Sequence, residues 1–202
     1  FAEAWPMRYS QIEAFASRVQ ALERHDYYIF GTAMHLMDLM DSDMAALPRP
    51  PRFVIETGGG KGRFSEWSKE KFYERLCAFF GITTAQIVSE YGMSELASQA
   101  YEWEEQDGLR RFHFPKWVTP LVNDGNGQLS QLGTGALVLV DRARVDVPGV
   151  IQTEDIFTID ASGCTFKGRM LRAPLKGCSL FAEVQARIVS PPLGQQVTIG
   201  DV

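Results

Sequence analysis

The chain has 202 residues, 45% of them hydrophobic, enough for one large domain or two small ones with a real core. Its formal charge of -5, with Lys and Arg scattered and Arg110-Arg111 the longest basic run, excludes the clustered positive surface that a nucleic-acid partner needs. Cys77, Cys164 and Cys178 are three cysteines at wide, irregular spacing, which excludes a disulfide framework and a zinc quartet.

Free thiols fit a reducing compartment, so a cytoplasmic location is expected. No apolar stretch has the length of a membrane span. The start carries Glu3 and Arg8 before any apolar run, unlike a signal peptide. The first residue is Phe1 and the pattern is already under way, so further sequence upstream is expected.

Ser10 with Glu13 reads as a capping box, followed by a helical stripe at Ile12, Phe15, Ala16, Val19 and Leu22. Residues 27–30 read as a buried strand, and residues 32–47 as a helix stopped by Pro48, Pro50 and Pro51. Residues 52–56 (RFVIE) form a short apolar strand that runs into three glycines. Ser65 opens a second helix with Trp67, Phe72, Leu76 and Phe79 on one face and Gly81 at its end. Another strand is expected over residues 86–89. Strand, helix, strand in this order points to a parallel α/β sheet.

Beyond Trp103 the pattern turns to strands, over residues 112–122, 135–141, 149–159 and 164–166. Asn123-Asp124-Gly125-Asn126-Gly127 is a strong hairpin signal. The expected fold class is therefore α/β: a parallel-sheet subdomain over residues 1–110, then a β-rich subdomain over residues 111–202.

Three segments carry candidate chemistry. In ETGGGKGR (residues 56–63) a glycine run after a buried strand lets the backbone approach a ligand closely, with Lys61 adding charge. It is not a Walker A loop, and alone it equally fits a surface turn with a solvated lysine. In SEYGMSEL (residues 89–96) Tyr91 offers a ring to a base, and Gly92 allows a turn. Ser94 then offers a hydroxyl at an expected helix N-terminus, and Glu95 a hard oxygen ligand for Mg²⁺. Alone, the segment fits an ordinary N-cap with an acidic first turn better than a ligand site. In TED (residues 153–155) followed by Gly168-Arg169, a carboxylate suits two ribose hydroxyls and a guanidinium can bridge hydroxyl and phosphate. The plainer readings are a turn aspartate and a solvated strand end.

Taken in order, TGGGKG, YGMSE, Gly133-Thr134-Gly135-Ala136-Leu137, TED and Gly168-Arg169 resemble the ordered motifs of the adenylate-forming superfamily. Within it, the segments IFGTAMHLMDLM, RFVIETGGGKGR, FHFPKWVTPLV and LKGCSL resemble the acyl-protein synthetases, whose bioluminescent members supply fatty acyl groups for aldehyde formation. The resemblance covers nearly all of the chain.

That resemblance implies the C-terminal part of such an enzyme, with ATP and Mg²⁺ as cofactors and a fatty or other carboxylic acid as substrate. Gly58, Gly59 and Gly60 would line the adenine and acyl pockets. Tyr91, beside Gly92, would stack on adenine, Ser94 would contact the α-phosphate and Glu95 would hold Mg²⁺. Asp155 would take the ribose hydroxyls with Arg169 beside it. Cys178 in LKGCSL would carry the acyl group, with Lys176 raising its thiolate fraction. An acyl-reductase or an acyl-carrier protein would be the partner.

The sequence departs from the superfamily pattern at four places. No lysine-containing Ser/Thr/Gly-rich phosphate loop precedes the glycines, and TED stands where T-G-D is usual. MLRAPLKG lacks the hinge aspartate, and little chain follows Leu180 to form a lid. An incomplete fragment, unable to adenylate alone, is the expectation. An acyl-CoA ligase relative and a non-catalytic binding module with this fold are the alternatives.

Overall fold

The structure is a computed structural model and describes residues 26–42, 47–58, 68–145 and 149–170. The expected stripe at residues 12–22, and Gly59, Gly60, Lys61, Trp67, Lys176 and Cys178, lie outside the described residues.

In chain order the elements are β1 (Tyr28–Thr32), α1 (Ala33–Met40), β2 (Phe53–Thr57), α2 (Lys69–Phe80), a 3-10 turn (Thr84–Gln86) and β3 (Ile87–Tyr91). Then follow β4 (Ala100–Glu104), β5 (Arg110–His113), β6 (Val118–Asn123), β7 (Leu129–Ser130), β8 (Gly133–Asp141), β9 (Val150–Asp160) and β10 (Gly163–Arg169). Among the described residues all ten strands form one sheet in the order β1-β2-β3-β4-β5-β10-β9-β8-β6-β7. The first three are parallel and the remaining pairings are antiparallel, which gives the α/β class.

Local chemistry sets the helix ends. Thr32 accepts the His35 amide at the start of α1, and Ser68 accepts the Lys71 amide at the start of α2. Gly81 ends α2 at φ 66°, where its N–H reaches the Cys77 carbonyl; a side chain would be strained there. Both helices pack into one core cluster with the three parallel strands, as crossovers of one hand that step in one direction across a sheet require. There Leu36, Phe72 and Leu76 close over Val54 and Ile87, both 0% exposed. Burial of this apolar surface is what holds the parallel part together.

The strand expected to be buried at residues 27–30 is buried on one face only, and among the described residues it is the sheet's edge strand. Alternation sends Ile29 into the helix-covered core and leaves Tyr28 and Phe30 more than half exposed on the other face. Residues 112–122 also form two strands, not one. A turn closed by the Val118 amide on the Pro115 carbonyl separates β5 from β6, and β6 pairs with β8. The NDGNG hairpin joins β6 to β7, with the Asn126 amide on Asp124 Oδ1.

A second core, with Phe157, Leu137 and Leu139 fully buried, lies in the antiparallel part. Ala100 on β4 already belongs to it, and β4 pairs with β5, so the sheet is continuous across residue 110.

Candidate functional site

β2 and β3 are adjacent parallel strands whose last register pair is Thr57 and Glu90, so Gly58, just past β2, and Tyr91, the last residue of β3, lie at the same carboxyl edge. Gly58 has φ 79°, and a Cβ built there meets only Thr32 Cγ2, at 4.0 Å. Below it Thr57 Oγ1 donates to Glu90 Oε1 at 3.0 Å, and the Tyr101 hydroxyl donates to Glu90 Oε2 at 3.1 Å. This edge is the place where parallel sheets receive ligands.

The Tyr91 hydroxyl donates to Asp155 Oδ2 at 2.7 Å. Arg169 Nε stands 3.0 Å from Asp155 Oδ1 in an ion pair, and a terminal guanidinium nitrogen of Arg169 reaches Glu154 Oε2 at 3.1 Å. Arg169 and Asp155 face each other in the β9–β10 register, just past a bulge at Lys167. Yet β3 and β9 are separated in the sheet by β4, β5 and β10. At about 4.8 Å per strand, a flat sheet would hold them about 19 Å apart. The sheet therefore curls on itself, and β5 meets β10 through the single pair Phe112–Cys164. Aromatic packing fills the curl: the Tyr91 ring meets Phe112, Phe114 and Phe157 edge-on at centroid distances of 5.8, 6.4 and 5.4 Å. Burial, and then the Asp155 carboxylate, push the Tyr91 pKa well above its ordinary value, so its hydroxyl remains a proton donor.

The segment after Tyr91 does not open a helix, contrary to the sequence expectation. Residues 92–99 form a turn, with the Leu96 amide on the Met93 carbonyl, before β4 begins at Ala100. The physical cause is Asp141 at the end of β8. Its carboxylate takes the Ala97 amide at 3.0 Å and the Ser98 hydroxyl at 3.1 Å, an arrangement that replaces helical hydrogen bonding. Ser94 therefore does not stand at a helix N-terminus. Ser94 and Glu95 are both exposed, with Ser94 Oγ donating to Glu95 Oε2 at 3.2 Å.

Tyr91, Asp155 and Arg169 are thus joined, and Gly58 and Gly92 lie at the same sheet edge. Glu95 is held through its own carbonyl by Arg144. Asp141 and Glu90 were missed in the sequence. Period-two alternation along β8 puts Asp141 on the face of Leu137 and Leu139, a carboxylate where an apolar residue belongs, and that was the available signal.

The Tyr91–Asp155–Arg169 group has the chemistry to hold a ribose. Each Asp155 oxygen makes one of the contacts described, and a carboxylate oxygen accepts two, which leaves capacity for a diol. Among the described residues no three His, Cys, Asp or Glu side chains gather as a metal-ligand group. Glu95 is an exposed carboxylate, a hard oxygen ligand of the kind that could hold Mg²⁺ together with phosphate oxygens and water.

No protein-family model matches the chain, and no curated protein matches it. Solved structures do. One described as fatty acyl-adenylate ligases from E. coli and L. pneumophila aligns with a TM-score of 0.50 at 9% identity, over 90% of this chain and 41% of that one. McyG A-PCP complexed with phenylalanyl-adenylate aligns with a TM-score of 0.50 at 12% identity, over 82% of this chain and 34% of that one. O-succinylbenzoate coenzyme A synthetase (MenE) from Bacillus subtilis, in complex with AMP, gives a TM-score of 0.47 at 18% identity, over 78% of this chain and 43% of that one. The chain spans less than half the length of each of these structures. Among the described residues no helix is long and apolar enough to cross a membrane. The likeness at a TM-score of 0.50 establishes the fold: the chain carries part of the adenylate-forming enzyme fold.

Proposed function

We propose that this chain is the nucleotide-handling part of an adenylate-forming ligase that activates a carboxylic acid, in the first place a fatty acid, as its acyl-adenylate. The observation that carries the reading is the Tyr91–Asp155–Arg169 chain, which gathers a hydroxyl, a carboxylate and a guanidinium beside the carboxyl ends of β2 and β3. Asp155 receives the ribose hydroxyls, and Arg169 holds that carboxylate in place. Gly58, Gly59 and Gly60 with Gly92 leave room for adenine, and Tyr91 presents its ring to the base. Ser94 contacts the α-phosphate. Glu95 holds Mg²⁺, which supplies charge neutralisation at the phosphates.

The reaction is attack of a substrate carboxylate oxygen on the α-phosphorus of ATP, with pyrophosphate leaving. Positioning and charge neutralisation are the protein's contribution. The Cys178 thiolate then attacks the acyl carbon, AMP leaves, and a thioester results; Lys176 favours the thiolate. An acyl-reductase or acyl-carrier protein is the onward partner.

Calorimetry with a non-hydrolysable acyl-adenylate tests the first part. Saturable binding that weakens at least tenfold in Asp155→Asn is expected, and a folded sample that binds nothing at millimolar ligand removes the reading. ATP with radiolabelled fatty acid tests the second part. Hydroxylamine-labile label on the protein, absent in Cys178→Ala, is expected; label unchanged in that variant takes Cys178 out.

A further inference from the structure

Asp141 is 1% exposed, and nothing in its strand calls for a charge there. Its carboxylate accepts three hydrogen bonds, from the Ala97 amide at 3.0 Å, the Ser98 hydroxyl at 3.1 Å and the Ala143 amide at 3.0 Å. Ser98 is itself 6% exposed and accepts the Trp117 indole N–H at 2.9 Å. The chain beyond β8 adds a second hold, because the Arg144 guanidinium donates to the Glu95 carbonyl. Asp141 is anchored in turn: its amide donates to the Gly149 carbonyl at 2.6 Å, and a Cβ at Gly149 would fall 2.2 Å from the Asp141 carbonyl oxygen.

A buried carboxylate costs several kcal/mol unless its lone pairs are engaged. Here two of the three donors, Ala97 and Ser98, come from the loop that carries Ser94 and Glu95 and lie 44 and 43 residues away in sequence. A Leu or Val at this position would continue the apolar face without that cost. The carboxylate stands where it ties this loop.

We propose that Asp141 is the positioning residue of the 93–98 loop, which sets Ser94 and Glu95 at the phosphate end of the nucleotide site. The inference rests on the function proposed above. Asp141 touches no ligand. It acts through Ala97 and Ser98, and Arg144 acts with it through the Glu95 backbone. Neither contact reaches the Tyr91–Asp155–Arg169 chain, so the two ends of the nucleotide are governed separately.

The test uses the whole chain and α,β-methylene-ATP, titrated with and without Mg²⁺. Asp141→Asn keeps the side-chain shape and removes one acceptor. It is expected to lower affinity about tenfold with Mg²⁺ while leaving the Mg²⁺-free affinity within twofold. Amide exchange at Ala97 is expected to accelerate. Leu76→Ala, destabilised in the helix-covered core to which no residue of the 93–98 loop belongs, is expected to leave the ratio of the two affinities unchanged. Should Asp141→Asn fail to fold, Ser98→Ala removes one of the same bonds and is expected to shift the ratio in the same direction. If the wild-type chain binds and neither variant changes the ratio, Asp141 is not a positioning residue, while the nucleotide reading stands. A wild-type chain that does not bind at all overturns both.

Discussion

Replacing Tyr91 with Phe removes one oxygen and leaves the ring against Phe112, Phe114 and Phe157. The lost bond is a part-buried hydroxyl donating to a carboxylate at 2.7 Å. Hydrogen bonds to charged groups contribute about 1.5–3 kcal/mol. Asp155 keeps Arg169 beside it, so the loss falls in the lower half of that range, about 1.5–2 kcal/mol. With a urea dependence of about 2–3 kcal/mol per molar for a chain of this size, the unfolding midpoint drops by roughly 0.5–1 M. Urea titration followed by tryptophan fluorescence reads it directly. The curl of the sheet supplies a sharper criterion, because Tyr91 and Asp155 interact only if β3 and β9 meet. A double-mutant cycle of Tyr91→Phe and Asp155→Asn therefore carries a coupling of about 1 kcal/mol or more. Additivity within about 0.3–0.5 kcal/mol, the value for residues without contact, would refute the joined site.

Tyr27, Tyr73 and Tyr91 all have raised pKa values, chiefly through burial, with Tyr27 at about 12. A raised folded-state value means that this stability is full below the unfolded tyrosine pKa of about 10 and is lost as pH rises beyond it. Stability is expected to fall steeply above about pH 10, and Tyr73→Phe to flatten that fall, in denaturation series at each pH. Glu56 is buried and its pKa is raised, by burial first, against opposing contributions from Ser89, Lys69 and Tyr73. Its contribution is fullest below the unfolded carboxyl pKa and is lost as pH rises through the folded one. Glu56→Gln, whose amide oxygen still accepts the Tyr73 hydroxyl, is therefore expected to gain stability at pH 7 relative to pH 4, measured by urea midpoints at both. A Cβ at Gly135 would lie 2.1 Å from the Asn123 carbonyl oxygen, so Gly135→Ala forces β8 from β6 and is expected to lower stability by about 1–3 kcal/mol or more in the same assay.

The parallel sheet was legible because its signals are local. RFVIE alternates with helical stretches, and Gly81 sits where a helix must end. The ordered motifs fixed which residues to watch, and three of them, Tyr91, Asp155 and Arg169, lie together in space. What was not legible depends on distant partners. The SEYGMSEL segment has helix-start chemistry, but Asp141 takes the Ala97 amide and holds the segment as a turn. The edge position of β1 likewise depends on sheet order, which no window of five residues contains. β4 carries Glu102 and Glu104 in a strand, a composition that weakens local strand signals. Glu102 is buried there because Lys69 and Arg110 pair with it from α2 and β5.

Backbone and side-chain NMR of the chain during titration with AMP probes the nucleotide crevice residue by residue. Signals of Tyr91, Asp155, Arg169 and Gly58 are expected to shift together and saturate with one dissociation constant. Saturating AMP that leaves those four unmoved, or moves them with unrelated midpoints, would contradict a common nucleotide site on this fold.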